Sequence, residues 1–462
     1  MKKPSLATTV GGIRSPNPFW LASAPPTNTG DQIRRAFKAG WGGAVWKTFD
    51  FEPIVNVSSR YGAVDYDGRK IMGFNNIELI SDRTLEDNLR EIKEIKTEFP
   101  DHAVVVSLMV ESRRERWHEM VQRVEETGCD GLELNFGCPH GMSERGMGSA
   151  VGQVPEYTEM ITSWVKEVAK TPVIVKLTPN VTDIRPIGRA AKRGGADGIS
   201  LINTINSIMG IDLDTLRPKP HVAGRGSHGG YCGPAVKPIA LQMVHALASD
   251  AEINLPVSGI GGIQAWHDAV EFLLLGCSGV QICTAVMHYG FRLVEHMISG
   301  LEMWMMEKGF TKLDDFIGRS VPHIGGWGDL DLGYKVTAEI DQNQCIHCGL
   351  CYVACEDGAH QSILRERVSV EDFIGARAGI PDRVEISGGR RTMAGAGDGY
   401  LNLFKIHQET CVGCNLCALA CPVEGCITMM ERASNLPSMT WSQYQEKLSK
   451  KEIDPIRPHR SE

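Results

Sequence analysis

The chain has 462 residues, of which 42% are hydrophobic and 23% are charged, and its formal net charge at pH 7 is -8. The length exceeds that of one average domain, and the composition is that of a globular protein. The acidic balance weighs against a nucleic-acid partner, because phosphate backbones are bound by clustered Lys and Arg.

Two sequence features bear on location. No apolar run reaches the roughly 18 residues that a membrane-spanning helix needs, since the best candidate, AVEFLLLGCSGVQICTAVM, contains Glu271 and Gln281. The N-terminus MKKPSLATTVGG has two lysines but lacks the apolar segment of a secretory signal. We therefore expect a cytoplasmic protein with no membrane partner.

Most cysteines are clustered at ligand spacing, which in such a protein favours metal binding over disulfides.

The first 300 residues predict eight short strands that alternate with helices. The strands are rich in Val, Ile and Leu without clean alternation, as expected for strands buried on both faces. In chain order they are PFWLASA, GGAVWKTF, AVVVSLM, DGLELNF, PVIVKLT, DGISLIN, LPVSGIG and SGVQICT.

The segments between these strands carry apolar residues at helical spacing. Examples are TLEDNLREIKEIKTEF, RWHEMVQRVEETG, PEYTEMITSWVKEVAK and IRPIGRAAKRGGA. Strands that alternate with helices indicate a parallel sheet, and eight such units predict an α/β fold of the (β/α)8 TIM-barrel type. The competing doubly wound sheet needs a glycine-rich phosphate turn after its first strand, where this chain has LASAPPTNTG.

In such barrels the active site lies at the C-terminal ends of the strands. Polar groups, small residues and two lysines are found there in this chain, whereas a packing surface would be more apolar. The residues are Ala22, Ser23, Lys47, Thr48, Asn135, Cys138, Lys176, Asn203, Thr204, Gly261, Gly262, Cys283 and Thr284.

Beyond the barrel, assigned to residues 1–300, the composition changes twice. We predict a helical linker over 301–340 and a cysteine-rich domain over 341–435. Residues 366–400 of that domain are rich in Gly and Arg and resemble an inserted loop. The tail 436–462 is expected to be disordered.

The cysteine-rich domain carries two C-x2-C-x2-C-x3-C motifs. CIHCGLCYVAC and CVGCNLCALACP have the spacing of bacterial two-cluster ferredoxins, in which the fourth cysteine ligates the other cluster. We therefore expect two [4Fe-4S] clusters. Paired zinc sites are the alternative, but zinc motifs normally use separate C-x2-C pairs. The expected ligand sets are Cys345, Cys348, Cys351 and Cys421 for one cluster, and Cys411, Cys414, Cys417 and Cys355 for the other.

Two such clusters transfer single electrons, so a barrel fused to them is expected to hold a flavin that exchanges two. SGIGGI after the seventh strand and ICTA after the eighth match the phosphate site common in these barrels. Lys47 and Lys176 end buried strands, where an ammonium group requires an anion. Negative charge near N1 of a reduced flavin is one such anion, and a protein carboxylate is the alternative. Ala22, Ser23, Thr48 and Gly233 complete the candidate FMN-binding set.

Several longer motifs resemble those of the dihydropyrimidine dehydrogenase family, and especially its bacterial NAD-dependent catalytic subunits. The motifs are FNNIELI, ELNFGCPHGMSERGMG, VKLTPNVTDI, GGADGISLINT and GGYCGPAVKPIAL, and the resemblance covers almost the whole chain. It implies an FMN barrel with a C-terminal two-cluster ferredoxin domain. The implied reaction is the reversible reduction of the C5=C6 bond of uracil and thymine, an oxidoreduction of a CH–CH group.

The resemblance also implies roles for individual residues. Asn76, Asn135, Asn203 and Thr204 fall on the family's pyrimidine-binding residues, and Cys138 falls on its catalytic cysteine. An Asn side chain offers both a donor and an acceptor, which suits the alternating edge of a pyrimidine. Hydride would pass from N5 of FMN to C6, and the Cys138 thiol would give a proton to C5. A thiol of ordinary pKa, about 8.5, is protonated at neutral pH and suits that role.

Two departures from the family pattern stand out. The animal enzymes are longer and carry NADPH and FAD sites that are absent here, so we expect electrons from NAD(P)H to arrive through a separate flavoprotein subunit. Gly137 occupies a position where the family often has Ser, which concerns the geometry of the loop around Cys138.

Other functions stay open at this point. A dihydroorotate dehydrogenase-like enzyme would use the same FMN, Lys and Cys logic, although such barrels do not normally carry a fused two-cluster domain. Reduction of uridine in RNA is disfavoured by the net charge. A non-catalytic electron-transfer subunit would need neither Cys138 nor the asparagines.

Overall fold

A computed structural model describes residues 3–66, 69–139, 146–369, 400–434 and 436–456. The chain divides into two compact units, Met1–Ile324 and Gly325–Glu462.

The first unit is built on a closed barrel of eight parallel strands, which confirms the predicted fold. The strands are β1 (Phe19–Leu21), β2 (Gly43–Phe49), β3 (Ala103–Leu108), β4 (Gly131–Asn135), β5 (Val173–Lys176), β6 (Gly198–Leu201), β7 (Val257–Ile260) and β8 (Cys277–Ile282). The closed order is β6-β7-β8-β1-β2-β3-β4-β5, so each strand lies beside its neighbours in sequence.

Helices surround the barrel and bury one face against it. The predicted helical segments correspond to Leu85–Glu98, Arg114–Glu125, Pro155–Lys166 and Arg185–Arg193. Arg185–Arg193 shows the pattern, since Ile187, Ala190 and Ala191 are buried while its charged residues lie on the other face. The remaining helices of this unit are Gly30–Ala39, Ser149–Gly152, Lys237–Ala248, Trp266–Leu274, Thr284–Tyr289 and Leu293–Lys308.

A four-stranded antiparallel sheet extends two of the loops that follow barrel strands. Tyr61–Tyr66 and Arg69–Asn76 come from the loop after β2, and Ile205–Ser207 and Gly229–Cys232 come from the loop after β6. Because both loops leave the C-terminal ends of their strands, this sheet, called the capping sheet below, lies at the end of the barrel where the site is predicted. Short hairpins are formed by Thr8–Val10 with Ile13–Ser15 and by Ile211–Asp212 with Arg217–Pro218.

The second unit contains two antiparallel strand pairs and short helices that carry the cysteine motifs. Lys335–Ile340 pairs with Ile427–Arg432, and Ile363–Ser369 pairs with Tyr400–Ile406. The helical segments are Leu350–Tyr352, Val353–Asp357, Leu416–Ala420 and Trp441–Ser449.

The structure corrects the predicted boundaries. Within the proposed linker, Leu301 and Met305 are buried on the face that Leu293–Lys308 packs against the barrel, and Lys335–Ile340 is a strand of the second unit. That strand was missed because its partner lies some ninety residues away and gives no local signal. Part of the predicted disordered tail is a helix, Trp441–Ser449, capped by Thr440. The centre of the predicted insertion, residues 370–399, lies outside the described residues, and its ends are paired strands.

Candidate active site and electron-transfer centre

One cavity opens at the C-terminal ends of the barrel strands and encloses about 1190 Å³ of empty space, its open mouth included. The structure brings all the candidate residues of the barrel together in its lining. They are Ala22, Ser23, Lys47, Thr48, Asn76, Asn135, Cys138, Lys176, Asn203, Thr204, Gly233, Gly261, Gly262, Cys283 and Thr284.

Both lysines are buried and each is paired with a carboxylate. Lys47 Nζ donates to Glu78, which also accepts from the hydroxyl of Tyr61. Lys176 Nζ lies 3.4 Å from Oε1 of Glu133. The carboxylate alternative is therefore correct for each ammonium group, yet both lysines still line the cavity. Burial and the hydrogen bond to Glu78 raise the pKa of Tyr61, so this hydroxyl stays protonated as a donor.

Three polar side chains form a hydrogen-bonded chain across one wall of the cavity. Asn203 Nδ2 donates to Asn135 Oδ1 at 2.9 Å, and Asn135 Nδ2 donates to Thr48 Oγ1 at 3.0 Å. Asn203 Oδ1 accepts from the backbone N–H of Thr204 at 2.8 Å. These bonds hold the amide groups in one orientation, which is the requirement for reading a substrate edge. Asn76 comes from the capping sheet and donates to the carbonyl of Gly230 at 3.3 Å.

Cys138 follows β4 and is buried at 9% exposure among Ile80, Met109 and Met147. Its carbonyl accepts from the backbone N–H of Ser149 at 3.0 Å, which ties it to the start of the helix Ser149–Gly152. Residues 140–145, which follow Cys138 in the ELNFGCPHGMSERGMG motif, lie outside the described residues. The thiol thus lines the cavity from a largely apolar surrounding.

The part of the lining that follows β7 and β8 has the features expected for a phosphate site. Gly261 and Gly262 have φ values of +133° and +73°, which only glycine adopts without strain. Cys283 and Thr284 follow β8 beside them. Burial raises the pKa of the Cys283 thiol to about 12, so this side chain is a neutral thiol at physiological pH and adds no negative charge near a phosphate.

The residues present fit an FMN cofactor. The lining combines two buried lysines, a glycine turn with positive φ values, and Gln281, whose buried Oε1 acceptor finds no hydrogen-bond partner among the described residues. A buried orphan acceptor of this kind indicates that a ligand donor completes the site.

Glu78, Tyr61, Cys232 and Gln281 are among the lining residues that the sequence did not single out. Glu78 lies two residues after Asn76 in the FNNIELI motif, so the motif itself was the available signal. Tyr61 and Cys232 come from the capping sheet, and Gln281 lies inside the barrel. Cys232 lies in the GGYCGPAVKPIAL motif and Gln281 in the predicted strand SGVQICT, so those stretches were the available signals, whereas Tyr61 lies in none of the quoted motifs.

Cysteines of both motifs pack into one hydrophobic cluster of the second unit. A cavity with about 340 Å³ of empty space is lined by Cys355, Cys411, Cys414 and Cys417. Elsewhere in this unit, burial raises the pKa of Cys345, and the nearby thiols of Cys348 and Cys421 raise it further. The crossed ligand sets, in which the fourth cysteine of each motif joins the other motif, stay a prediction. Cys426, buried beside Cys345 and Cys421, is outside these sets.

Comparison with known proteins identifies the family. A model described as dihydroorotate dehydrogenase matches residues 5–305, and a 4Fe-4S dicluster domain matches residues 344–425. The NAD-dependent dihydropyrimidine dehydrogenase subunit PreA of Escherichia coli strain K12 is 42% identical over 359 residues, covering 78% of this chain and 87% of that protein. The chain belongs to the dihydropyrimidine dehydrogenase family.

Two further relatives show the breadth of the similarity. The chloroplastic dihydropyrimidine dehydrogenase (NADP(+)) of Arabidopsis thaliana is 42% identical over 348 residues, covering 73% of this chain and 82% of that protein. The catalytic subunit of dihydroorotate dehydrogenase B (NAD(+)) of Pyrococcus abyssi is 38% identical over 313 residues, covering 66% of this chain and 96% of that protein.

The family membership makes this chain an oxidoreductase that acts on a CH–CH group and carries a C-terminal 4Fe-4S domain. The dicluster match decides against zinc in the cysteine-rich unit. Among the described residues, no helix has the length and apolar character needed to cross a bilayer.

Proposed function

We propose that this chain catalyses the reversible reduction of the C5=C6 bond of uracil or thymine to the 5,6-dihydropyrimidine. The observation that carries this proposal is that three kinds of group line the same cavity. They are the thiol of Cys138, the hydrogen-bonded amides of Asn135 and Asn203, and the buried Lys47 and Lys176. Each of these groups matches one requirement of the reaction: a proton donor, an edge that reads alternating carbonyl and N–H groups, and positive charge for the cofactor.

FMN, when bound, supplies the hydride that C6 receives. The residues that would hold it all line the cavity. Lys47 and Lys176 would meet the ring edge, and the backbone around Gly261, Gly262, Cys283 and Thr284 would hold the phosphate, since N–H groups at such turns bind anions. Ala22, Ser23, Thr48 and Gly233 line the space between.

The proton comes from this chain. In the reductive direction the Sγ–H bond of Cys138 breaks as the proton passes to C5, and the resulting thiolate takes a proton from solvent before the next turnover. Asn76, Asn135, Asn203 and Thr204 would hold the pyrimidine so that its C5 faces this thiol. The largely apolar neighbours of Cys138 would limit the water beside the thiol once substrate and cofactor fill the cavity.

The electrons are proposed to come from a separate subunit. The bacterial relative is itself named a subunit of an NAD-dependent enzyme, and two [4Fe-4S] clusters suit single-electron transfer between two flavins. We therefore propose a hetero-oligomer with a flavoprotein that oxidises NADH or NADPH and passes electrons through the clusters of this chain.

Dihydroorotate oxidation is the second candidate, because the similarity to the Pyrococcus subunit extends over 96% of that protein. Orotate carries a carboxylate that requires a cation or a nest of N–H groups. Among the described residues that line the cavity, the cationic side chains are Lys47 and Lys176, and both are paired with Glu78 and Glu133. Since both lysines are also the groups proposed to meet the flavin, no further cation of the described lining is left for a carboxylate, and a neutral pyrimidine is favoured.

The test is an anaerobic titration of the reconstituted chain with dihydrouracil, dihydrothymine and dihydroorotate in turn, following flavin absorbance. This half-reaction requires no partner, so bleaching by dihydrouracil or dihydrothymine would support the proposal. A bound flavin that is bleached only by dihydroorotate would replace the proposal with the second candidate. Clusters without any flavin would contradict both and favour an electron carrier.

Substitution of the thiol separates a catalyst from a carrier. We expect Cys138→Ala to keep FMN and to slow flavin reduction by about 10²–10⁴-fold, the usual loss for a missing acid or base. Cys129→Ala is the matched control, because Cys129 is also a buried thiol but does not line the cavity. Equal rates for both variants would contradict the assigned role.

A further inference from the structure

Beneath the cavity, the interior of the barrel holds a carboxylate that is completely shielded from solvent. It belongs to Glu133 on β4. Its Oε2 accepts from Ser200 Oγ of β6 at 2.8 Å and from Gln281 Nε2 of β8 at 2.9 Å. Because β8 and β4 are not neighbours in the barrel, the bond from Gln281 crosses the interior.

The layer of side chains below this carboxylate, towards the N-terminal ends of the strands, is apolar. It is one buried cluster formed by Val10, Ile13, Trp20, Val45, Ala103, Val105 and Ile174. A charge in such a place costs several kcal/mol unless it is paired and hydrogen-bonded. The ammonium of Lys176 is the countercharge, with its Nζ 3.4 Å from Oε1 of Glu133.

The same carboxylate orients Gln281. The Nε2 group of this amide is committed to Glu133, which leaves Oε1 as the atom available to the cavity that Gln281 lines. That oxygen is buried and finds no partner among the described residues. One buried carboxylate thus sets the position of two groups at the floor of the cavity, a cation and an oriented acceptor.

We propose that Glu133 is a positioning residue for the redox chemistry of this barrel. It holds Lys176 and Gln281 against the bound flavin and, by partly neutralising Lys176, lowers the reduction potential of that flavin. This inference rests on the proposed placement of FMN in the cavity but not on the identity of the pyrimidine substrate.

The sign of the effect follows from charge. Reduced flavin carries negative charge near N1, and a cation beside it stabilises the reduced form. The carboxylate of Glu133 offsets part of that cation's field. Replacing Glu133 by the isosteric, neutral Gln therefore leaves more positive charge at Lys176, which favours the reduced flavin.

The test is the midpoint potential of FMN in the full-length chain, measured by anaerobic dye-coupled reduction in the absence of pyrimidine. For Glu133→Gln we expect at least a tenfold increase in the ratio of reduced to oxidised FMN at a fixed potential, an upward shift of about 30 mV for a two-electron couple. Ser200→Ala is the matched control, because it removes one hydrogen bond from the same carboxylate and leaves the charge in place. We expect it to leave the potential unchanged.

Glu133→Asp keeps the charge but moves it away from Lys176, so we expect a smaller upward shift. This variant also carries the test if Glu133→Gln does not fold or retain FMN. An unchanged potential in both folded variants, or an equal shift in Ser200→Ala, would overturn the proposal and leave Glu133 a structural residue.

The outcomes separate this inference from the proposed function. A flavin whose potential responds to Glu133 but that no dihydropyrimidine bleaches would support the positioning role and reject the pyrimidine substrate. A flavin that dihydrouracil bleaches, but whose midpoint potential does not change on substitution of Glu133, would support the pyrimidine substrate and reject the positioning role.

Discussion

At the scale of single residues, a missing Cβ decides how the cavity wall around Asn135 and Asn203 is built. A Cβ placed at Gly137 would lie 2.4 Å from Cβ and 2.6 Å from Nδ2 of Asn203. Such distances are far below van der Waals contact, and the nearest atom is not at the flexible end of the side chain. Asn203 can therefore donate to Asn135 in its present position only because residue 137 has no side chain.

We predict that Gly137→Ser displaces the Asn203 amide and weakens pyrimidine binding. Leaving a buried polar group without its partner costs about 1–3 kcal/mol, so KM is expected to rise about tenfold or more with little change in FMN content. Steady-state kinetics of Gly137→Ser, Asn203→Ala and the double variant provide the check. Because both changes act through the same amide, the double variant should lose little more than Asn203→Ala alone. Additive losses would contradict this coupling.

At the scale of elements, the turn after β7 joins the barrel to the predicted phosphate site. Gly262 has a φ of +73°, and a Cβ there would lie 2.8 Å from Cβ and 2.9 Å from N of Lys237. The turn is thus packed directly on the start of the helix Lys237–Ala248. A side chain at this position has to open the turn, since the backbone atoms it meets cannot rotate away.

Gly262→Ala is expected to weaken FMN binding about tenfold or more, because the opened turn no longer presents its N–H groups to the phosphate. Gly309→Ala is the matched control, since Gly309 has a φ of +75° and no atom within 4 Å of its would-be Cβ. The two variants share the cost of a left-handed alanine, about 1–2 kcal/mol, and differ only in crowding. Equal FMN dissociation constants, measured by fluorescence, would show that the turn does not contact the cofactor.

At the scale of the whole molecule, the chain combines a barrel for two-electron chemistry with a unit for single electrons. In the second unit the cysteine motifs lie about sixty residues apart in sequence, yet Cys355 lines one cavity with Cys411, Cys414 and Cys417. The two clusters are therefore expected to share their motifs, so that neither half of the unit can build a cluster alone.

Double substitutions test this crossed ligation. If Cys345 and Cys421 bind the same cluster, Cys345→Ser with Cys421→Ser removes one cluster and leaves about half the iron and one electron paramagnetic resonance signal. Cys345→Ser with Cys355→Ser is the control, because it takes one ligand from each cluster and is expected to abolish both. The reverse pattern would mean that each motif ligates its own cluster. The dihydropyrimidine half-reaction of the barrel is expected to persist in either variant that folds.

The parts of the fold with local signals were predicted well. The eight buried strands and the four quoted helices are all present, since apolar runs and helical spacing are set by burial on both faces or on one. The strand Lys335–Ile340 was missed because it is specified by pairing with Ile427–Arg432 rather than by its own residues. The helix Trp441–Ser449 was missed although its Thr440 cap and Gln443 form a recognisable capping box.

The sequence by itself determined the barrel, the cluster motifs and the strand-end residues that line the cavity. Those features are encoded in residue type and spacing along the chain. Only the tertiary structure decided that Glu78 pairs with Lys47, that Gln281 reaches Glu133 across the barrel, and that Asn203 rests on the bare backbone of Gly137. Each of these contacts joins residues from strands or loops far apart in sequence. The strength of each contact depends on the distance between its atoms and on their burial, and both are set only once the barrel has closed.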